Sequence, residues 1–327
     1  MTKSLDRTEL GLIIALPILI CLAFILPKWI VNYVQVSMGT GLVALGVMIQ
    51  MRAGLVSFGQ GLYFCVGGYA AGMAAKFMGI SDLFVLLAFG IIAALVLSTI
   101  LGFLLRRYRE IFFAMLSLAV SMILFGLLSS TEELGSTDGF NLPTATFLGW
   151  APTGETARLT LYTITCVVVI GCAIALNRFL KGPIGYINEA IRENELRVEY
   201  LGTSAHKAVH ITYVLAAVVS SIGGVLWALA LGHVDPEMTN WTTSGQFVFV
   251  SILSGIGNIA APLIGTFILE VVRIYAVELS PNTWQMILGT VMLLTIIFLP
   301  KGLWSLVASK KKSKKEKLAA SAPAAGE

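Results

Sequence analysis

The sequence predicts an all-α polytopic membrane protein with about ten transmembrane helices, one of them short or re-entrant, and an amphipathic helix on the cytoplasmic side. Three observations predict this. Of 327 residues, 57% are hydrophobic and 12% are charged, against about 25% charged in soluble domains. Several apolar runs reach 18 residues or more, the length a helix needs to cross a bilayer. The short alternating segments of a transmembrane barrel do not occur.

Spans are predicted at residues 10–27, 30–51, 55–75, 83–105, 110–129, 160–180, 208–232, 244–258, 260–278 and 284–300. The first follows a charged start (Lys3, Asp6, Arg7, Glu9). It is longer than a signal peptide's apolar region and lacks a small-residue cleavage site, so it reads as a retained span. A Pro27-Lys28-Trp29 turn leads into the second. In the third, Gly61, Cys65, Gly68 and Gly72 recur at steps of 4, 3 and 4 and make a smooth packing face, to which Ser57, Gln60 and Tyr63 add polar groups. In the fifth, Ser117 and Ser121 stand one turn apart, either lining a path or bonding backbone carbonyls. The eighth, about 15 residues, is too short to cross a ~30 Å core upright and is expected to be re-entrant or broken. After it, SGIGNIAAPLIG (254–265) reads as a tight turn or broken helix. In the ninth, Glu270 and Arg273 share a helix face and pair, with Arg273 snorkelling outward.

The most charged stretch inside the oily body is 181–207, KGPIGYINEAIRENELRVEYLGTSAHK. Gly182-Pro183 turns the chain after span six. A helix is expected from about Tyr186 to Leu201, with Gly202 as its C-terminal cap. Ile187, Ile191, Val198 and Leu201 would form its apolar face, and Glu193 and Arg197 an i, i+4 pair.

Lysine and arginine set the orientation. With the N-terminus inside, all but four of the 22 basic residues are cytoplasmic, the four being Lys28, Lys76, Arg158 and Arg273. Both termini and the 181–207 island are therefore expected in the cytoplasm. Trp29, Trp150, Trp241 and Trp284 would anchor the outer interface and Trp304 the inner one. A membrane domain over 1–308 precedes a disordered lysine-rich tail over 309–327. Residues 310–317 hold six of the basic residues, so the pI of 8.8 comes from the tail. The tail suits anionic lipid, and nucleic acid is a poor partner for the balanced body. Two loops face outward, 130–159 and 233–243. Glu132, Glu133, Asp138, Asp235 and Glu237 make them acidic, either as a docking face or as ordinary solvated loops.

Catalysis finds no support. No P-loop motif occurs, so the chain is not itself a P-loop ATPase. His206 and His210 lack a third ligand, and Cys21, Cys65, Cys166 and Cys172 sit singly in apolar runs. An ion-coupled secondary transporter would need ligands near the midplane, for which Glu270 and Arg273 are the candidates.

Five blocks in order then resemble one family. They are GLVSFGQGLYFCVGGYAA, FFAMLSLA, GSTDG, AIRENELRVEYLG with the span after it, and HVDPEMTNWTTSGQFVFVSILSGIGNIAAPLIG ending in FLPKGL. Over about residues 35–305 the chain resembles the permeases of ABC importers of the branched-chain amino acid type, LivM-like. The resemblance implies a non-catalytic subunit of the bacterial inner membrane without a cofactor of its own. ATP and magnesium would be bound by two cytoplasmic ATPase subunits. A homologous second permease, giving a heterodimer, and an extracytoplasmic solute-binding protein complete the expected partners. Residues 186–202 would be the coupling helix docking into the ATPase through Glu189, Ala190, Arg192, Glu193, Glu195 and Gly202. The translocation pathway would involve Ser57, Gly59, Tyr63, Gly68, Tyr69, Ser117, Gly255, Gly257 and Asn258. Ser254, Asn258, Ala261 and the Gly68-Tyr69 pair depart from the family pattern. They leave the solute open among branched-chain amino acids, related small polar solutes, urea, amides and aromatic acids.

Overall fold

The protein is described here from a computed structural model, over residues 6–298 and 302–304. The lysine-rich tail and the boundary at 308 lie outside the described residues. In chain order the helices are α1 (Arg7–Ile25), α2 (Lys28–Arg52), α3 (Gln60–Met78), α4 (Leu83–Leu105), α5 (Glu110–Ser130), α6 (Glu155–Leu180), α7 (Pro183–Tyr200), α8 (Ala205–Leu231), α9 (Trp241–Ser254), α10 (Ala260–Leu279) and α11 (Trp284–Phe298). All but α7 fall where the apolar runs predict them. Seven, namely α1, α2, α4, α5, α6, α8 and α10, are long and apolar enough to cross a membrane. Among the described residues the ten expected spans are thus ten helices, seven of them candidates to cross the membrane by length and composition and α11 a shorter apolar one.

Local signals set several ends. The Asp82 carboxylate accepts from the backbone N–H groups of Phe84 and Val85 and caps α4. Ser204 caps α8 by accepting from the N–H of Lys207. Gly79 and Gly232 close α3 and α8 in left-handed conformation. Residues 55–59, predicted as part of span three, are not helical, and α3 starts only at Gln60.

The core forms where α8 crosses α2 and α3. A β-carbon on Gly224 would fall on the carbonyl oxygen of Phe64, and one on Gly67 on that of Ser221. Only glycine permits these backbones to approach so closely. Around the crossing, Leu42, Leu45, Met48, Phe64, Leu86 and Val225 are buried. Gln60 sits among them, its side-chain oxygen accepting from the Ser220 hydroxyl at 2.7 Å.

The main departure from expectation is 233–243, read from the sequence as an outward loop. After α8 the chain pairs briefly as β2 (His233–Val234) with β1 (Phe140–Asn141), antiparallel. It then turns back into the bundle along the glycine face of α3. Val234 meets Gly72, the Met238 side chain meets Gly68, and Ser244 meets Gly61. Eleven residues of α3 separate the first contact from the last, a descent of about 16 Å at 1.5 Å per residue. A 3-10 turn, Pro236–Thr239, occupies the lower part. There Thr239 is fully buried and its backbone oxygen accepts from the Ser121 hydroxyl at 2.8 Å. Helix α9 therefore begins inside the bundle, and its 14 residues reach only about 21 Å. Trp241, expected as an outer anchor, opens α9 beside this buried turn. The smooth face of α3 has taken an irregular segment whose backbone is satisfied by protein, the condition for such a segment at membrane depth.

Candidate functional site

Helix α7 lies across one end of the bundle, against the ends of α2, α6 and α8. It starts at Pro183, three residues earlier than expected, because proline suits a helix's first turn. It is not continuous. Asn194 is extended (φ −163°, ψ 103°), and its side-chain oxygen accepts from the N–H of Arg197 at 3.0 Å, capping a second short helical segment. The expected Glu193–Arg197 pairing spans this break, and the described ion pairs take other partners. Glu189 meets Arg52 at 3.3 Å. Glu195 receives two hydrogen bonds from Arg109, at 2.6 and 2.8 Å, the strong bidentate form. Ile191 and Val198 are buried as the periodicity requires, whereas Leu201 is 81% exposed. Glu189, Ala190, Arg192, Glu193 and Gly202 all face outward and Glu195 is half-buried. Gly202 has φ +82° and serves as the left-handed residue ending the helix, as expected.

Arg52 also donates from Nε to the backbone oxygen of Ile256 at 2.9 Å. One guanidinium thus joins α7 to the turn between α9 and α10. In that turn Gly255 has φ +88°, Gly257 is exposed, and Asn258 accepts from the N–H of Ala260 and donates to Thr8.

The remaining residues expected along a pathway are packed inside. The Ser57 hydroxyl accepts from the N–H of Gly59. Gly59 packs on Ser117, whose hydroxyl accepts from the N–H of Phe58 and donates to the oxygen of Ala114. The Tyr63 hydroxyl donates to that of Tyr213 at 2.8 Å. Gly68 holds Met238, and buried Tyr69 stacks edge-on against Phe140.

At the end opposite α7 the expected docking acids separate into two groups. Glu132, Glu133 and Asp138 are exposed on two 3-10 turns, beneath which Lys76 donates to the backbone oxygen of Glu133 at 3.0 Å. Asp235 and Glu237 instead belong to the descending segment and line a cavity of about 330 Å³ together with Gln246, Glu270, Arg273 and Trp284. Glu270 and Arg273 pair loosely at 3.7 Å, and the Arg273 guanidinium lies 5.0 Å from the centre of the Trp284 ring. Burial raises the Asp235 pKa from its ordinary value, opposed by the charge of His233. The cavity runs from the start of α11 down to Thr40, which lies twelve residues into α2, about 18 Å. Among the described residues no group of three or more His, Cys, Asp or Glu is placed to hold a metal ion.

Residues 29–296 match the family model described as the branched-chain amino acid transport system permease component. The chain belongs to this permease family. It is 25% identical to the high-affinity branched-chain amino acid transport system permease protein LivM of Escherichia coli K12, over 92% of this chain and 76% of that one. It is 25% identical to the corresponding protein LivH of Salmonella typhimurium LT2, over 83% of this chain and 93% of that one. BraD of Pseudomonas aeruginosa is 20% identical over 84% of the chain and 94% of its own length. No solved structure matches the chain. As a family member the chain is a multi-pass, non-catalytic transport subunit.

Within this permease the cavity is the feature that sequence reasoning missed. In the sequence its parts read separately, Glu270 and Arg273 as an intramembrane pair and Asp235 and Glu237 as loop acids. The signal that could have joined them was the shortness of the eighth apolar run, which requires the chain before it to re-enter the bundle.

Proposed function

We propose that this permease is one of two homologous membrane subunits of an ATP-driven importer of branched-chain amino acids in the bacterial inner membrane. Two ATP-binding subunits dock on α7 from the cytoplasm, through Glu189, Ala190, Arg192, Glu193, Glu195 and Gly202. A solute-binding protein docks at the opposite, outer end, on Glu132, Glu133 and Asp138. The likeness to both LivM and LivH supports a heterodimer, and the distribution of Lys and Arg supports cytoplasmic termini.

One observation carries the reading. Helix α7 is fastened to the bundle by Arg52 and Arg109 on one side while its other side stays uncovered, presenting Arg192 and Glu193 together with the apolar Leu196 and Tyr200. Arg52 continues from Glu189 to Ile256, so displacement of α7 pulls on the turn joining α9 to α10. Gly255, Gly257 and Asn258 in that turn are then hinge positions of the inner gate. Ser57, Gly59, Tyr63, Gly68, Tyr69 and Ser117 hold the wall against which it moves.

The test is reconstitution of the complete importer in liposomes with Glu193→Lys. Uptake of leucine and ATP hydrolysis stimulated by the loaded binding protein should both fall at least tenfold, with the thermal stability of the purified permease unchanged. Normal uptake in the variant, or uptake driven by an ion gradient without the ATPases, would sink the proposal.

A further inference from the structure

The cavity beside the descending segment combines three features that the packed interior lacks. It carries charge of both signs, with Asp235, Glu237 and Glu270 against Arg273. It has an apolar wall, including Phe64, Val250 and Leu269. It extends from the outer end of the bundle to mid-depth, where the start of α9 forms part of its wall. Its volume of about 330 Å³ lies at the lower end of the range for small-molecule sites.

The charges remain available to a ligand. The Arg273 side chain is 45% exposed, and its contact with Glu270 is only 3.7 Å, too long for a close hydrogen bond. The Trp284 ring face, 5.0 Å from the guanidinium, attracts the cation without using its N–H donors. Glu237 is engaged by the Asn240 side-chain amide at 2.8 Å, Asp235 is held by the backbone N–H groups of Met238 and Glu237 with its carboxylate on the cavity wall, and Glu270 has only the loose contact with Arg273.

We propose that this cavity is a transit site for a zwitterionic amino acid, with Arg273 receiving the α-carboxylate, Asp235 and Glu270 the ammonium group, and Phe64, Val250 and Leu269 an aliphatic side chain. The proposal rests on the importer reading above and deepens it by naming a solute site inside this chain. A guanidinium set against a carboxylate pair matches the two ends of a zwitterion. A carboxylic acid lacking the ammonium would meet a site with excess negative charge. An amine lacking the carboxylate would leave Arg273 unmatched.

The experiment uses the complete importer in liposomes, with saturating binding protein loaded with L-leucine. Leucine uptake and stimulated ATP hydrolysis are measured in parallel for the unmodified complex, Arg273→Gln, Arg273→Lys and Asp235→Asn. Removing one charged hydrogen-bonding partner should lower uptake about tenfold in Arg273→Gln, with hydrolysis within about twofold of the unmodified rate. Arg273→Lys should recover part of the loss, since it restores the charge without the fork. Asp235→Asn should fall in the same direction as Arg273→Gln. Unchanged uptake in Arg273→Gln and Asp235→Asn would overturn the site. A parallel loss of uptake and hydrolysis would also overturn it, because it would mark these residues as structural. Failure of the unmodified complex to take up leucine at all would refute the importer reading itself.

Discussion

The α7 end of the bundle and the crossing of α2, α3 and α8 are joined by opposite means. At the α7 end, charged groups hold helices together: Arg52 with Glu189, Arg109 with Glu195, Arg178 with Glu9, and Lys181 with Asp6. At the crossing, backbones touch through Gly67 and Gly224 with almost no side chain between them. Ion pairs at a partly exposed surface contribute modestly, ~0–1 kcal/mol each, and re-form in new geometries. Interlocked backbones have one arrangement. The permease thus combines a closely interlocked centre with an end held by partly exposed ion pairs, the division that the proposed coupling through α7 requires.

The largest effect that can break this comparison is expected at the crossing. Gly224→Leu inserts a side chain where the Phe64 carbonyl already sits, and the cost should exceed the ~1–3 kcal/mol usual for overpacking. No monodisperse protein should survive detergent extraction. Purification of the variant with an unchanged melting temperature would show the centre to be as adaptable as the periphery.

Arg109→Ala should have an intermediate and local effect. It removes both hydrogen bonds to the Glu195 carboxylate, about 1–3 kcal/mol for charged hydrogen bonds, discounted toward the lower figure because both side chains are about one-quarter exposed. Amide exchange over 195–200 should quicken while exchange in α8 stays as it was. Equal acceleration in α8 would mean that the two regions are not mechanically separate.

The smallest effect concerns Asp235, at the margin between the two kinds of packing. Its folded-state pKa is raised from the ordinary 3.8, so between that value and the raised one the folded chain binds more protons than the unfolded chain. Stability should therefore rise as pH falls through this window and be lost again as pH rises through the folded pKa, by at most ~1.4 kcal/mol per pH unit. Melting temperature against pH should show this slope in the native chain and lack it in Asp235→Asn. The same slope in both would assign it to another group.

Much of this was legible in the residues. Helix α7 announced itself through Gly182-Pro183, the buried positions of Ile191 and Val198, and the cap at Gly202. Its break was harder to see, because Asn194 is neutral in a periodicity count and acts only through its own bond to the N–H of Arg197. The partners of Glu189 and Glu195 could not be read at all, since Arg52 and Arg109 lie 137 and 86 residues away in sequence.

The sequence by itself determined the number and order of the helices, the separation of a polar helix from the apolar ones, and the chemistry available at each position. Those properties are local sums of hydropathy and capping preference. Tertiary structure decided that 234–244 descends along α3 and is not an outer loop, and that Asp235 shares a cavity with Glu270 and Arg273. The physical reason lies in the glycine face of α3. Gly61, Gly68 and Gly72 state that something must come close, and only the packed bundle, with Ser121 ready to bond the Thr239 backbone, selects an irregular segment as the one that does.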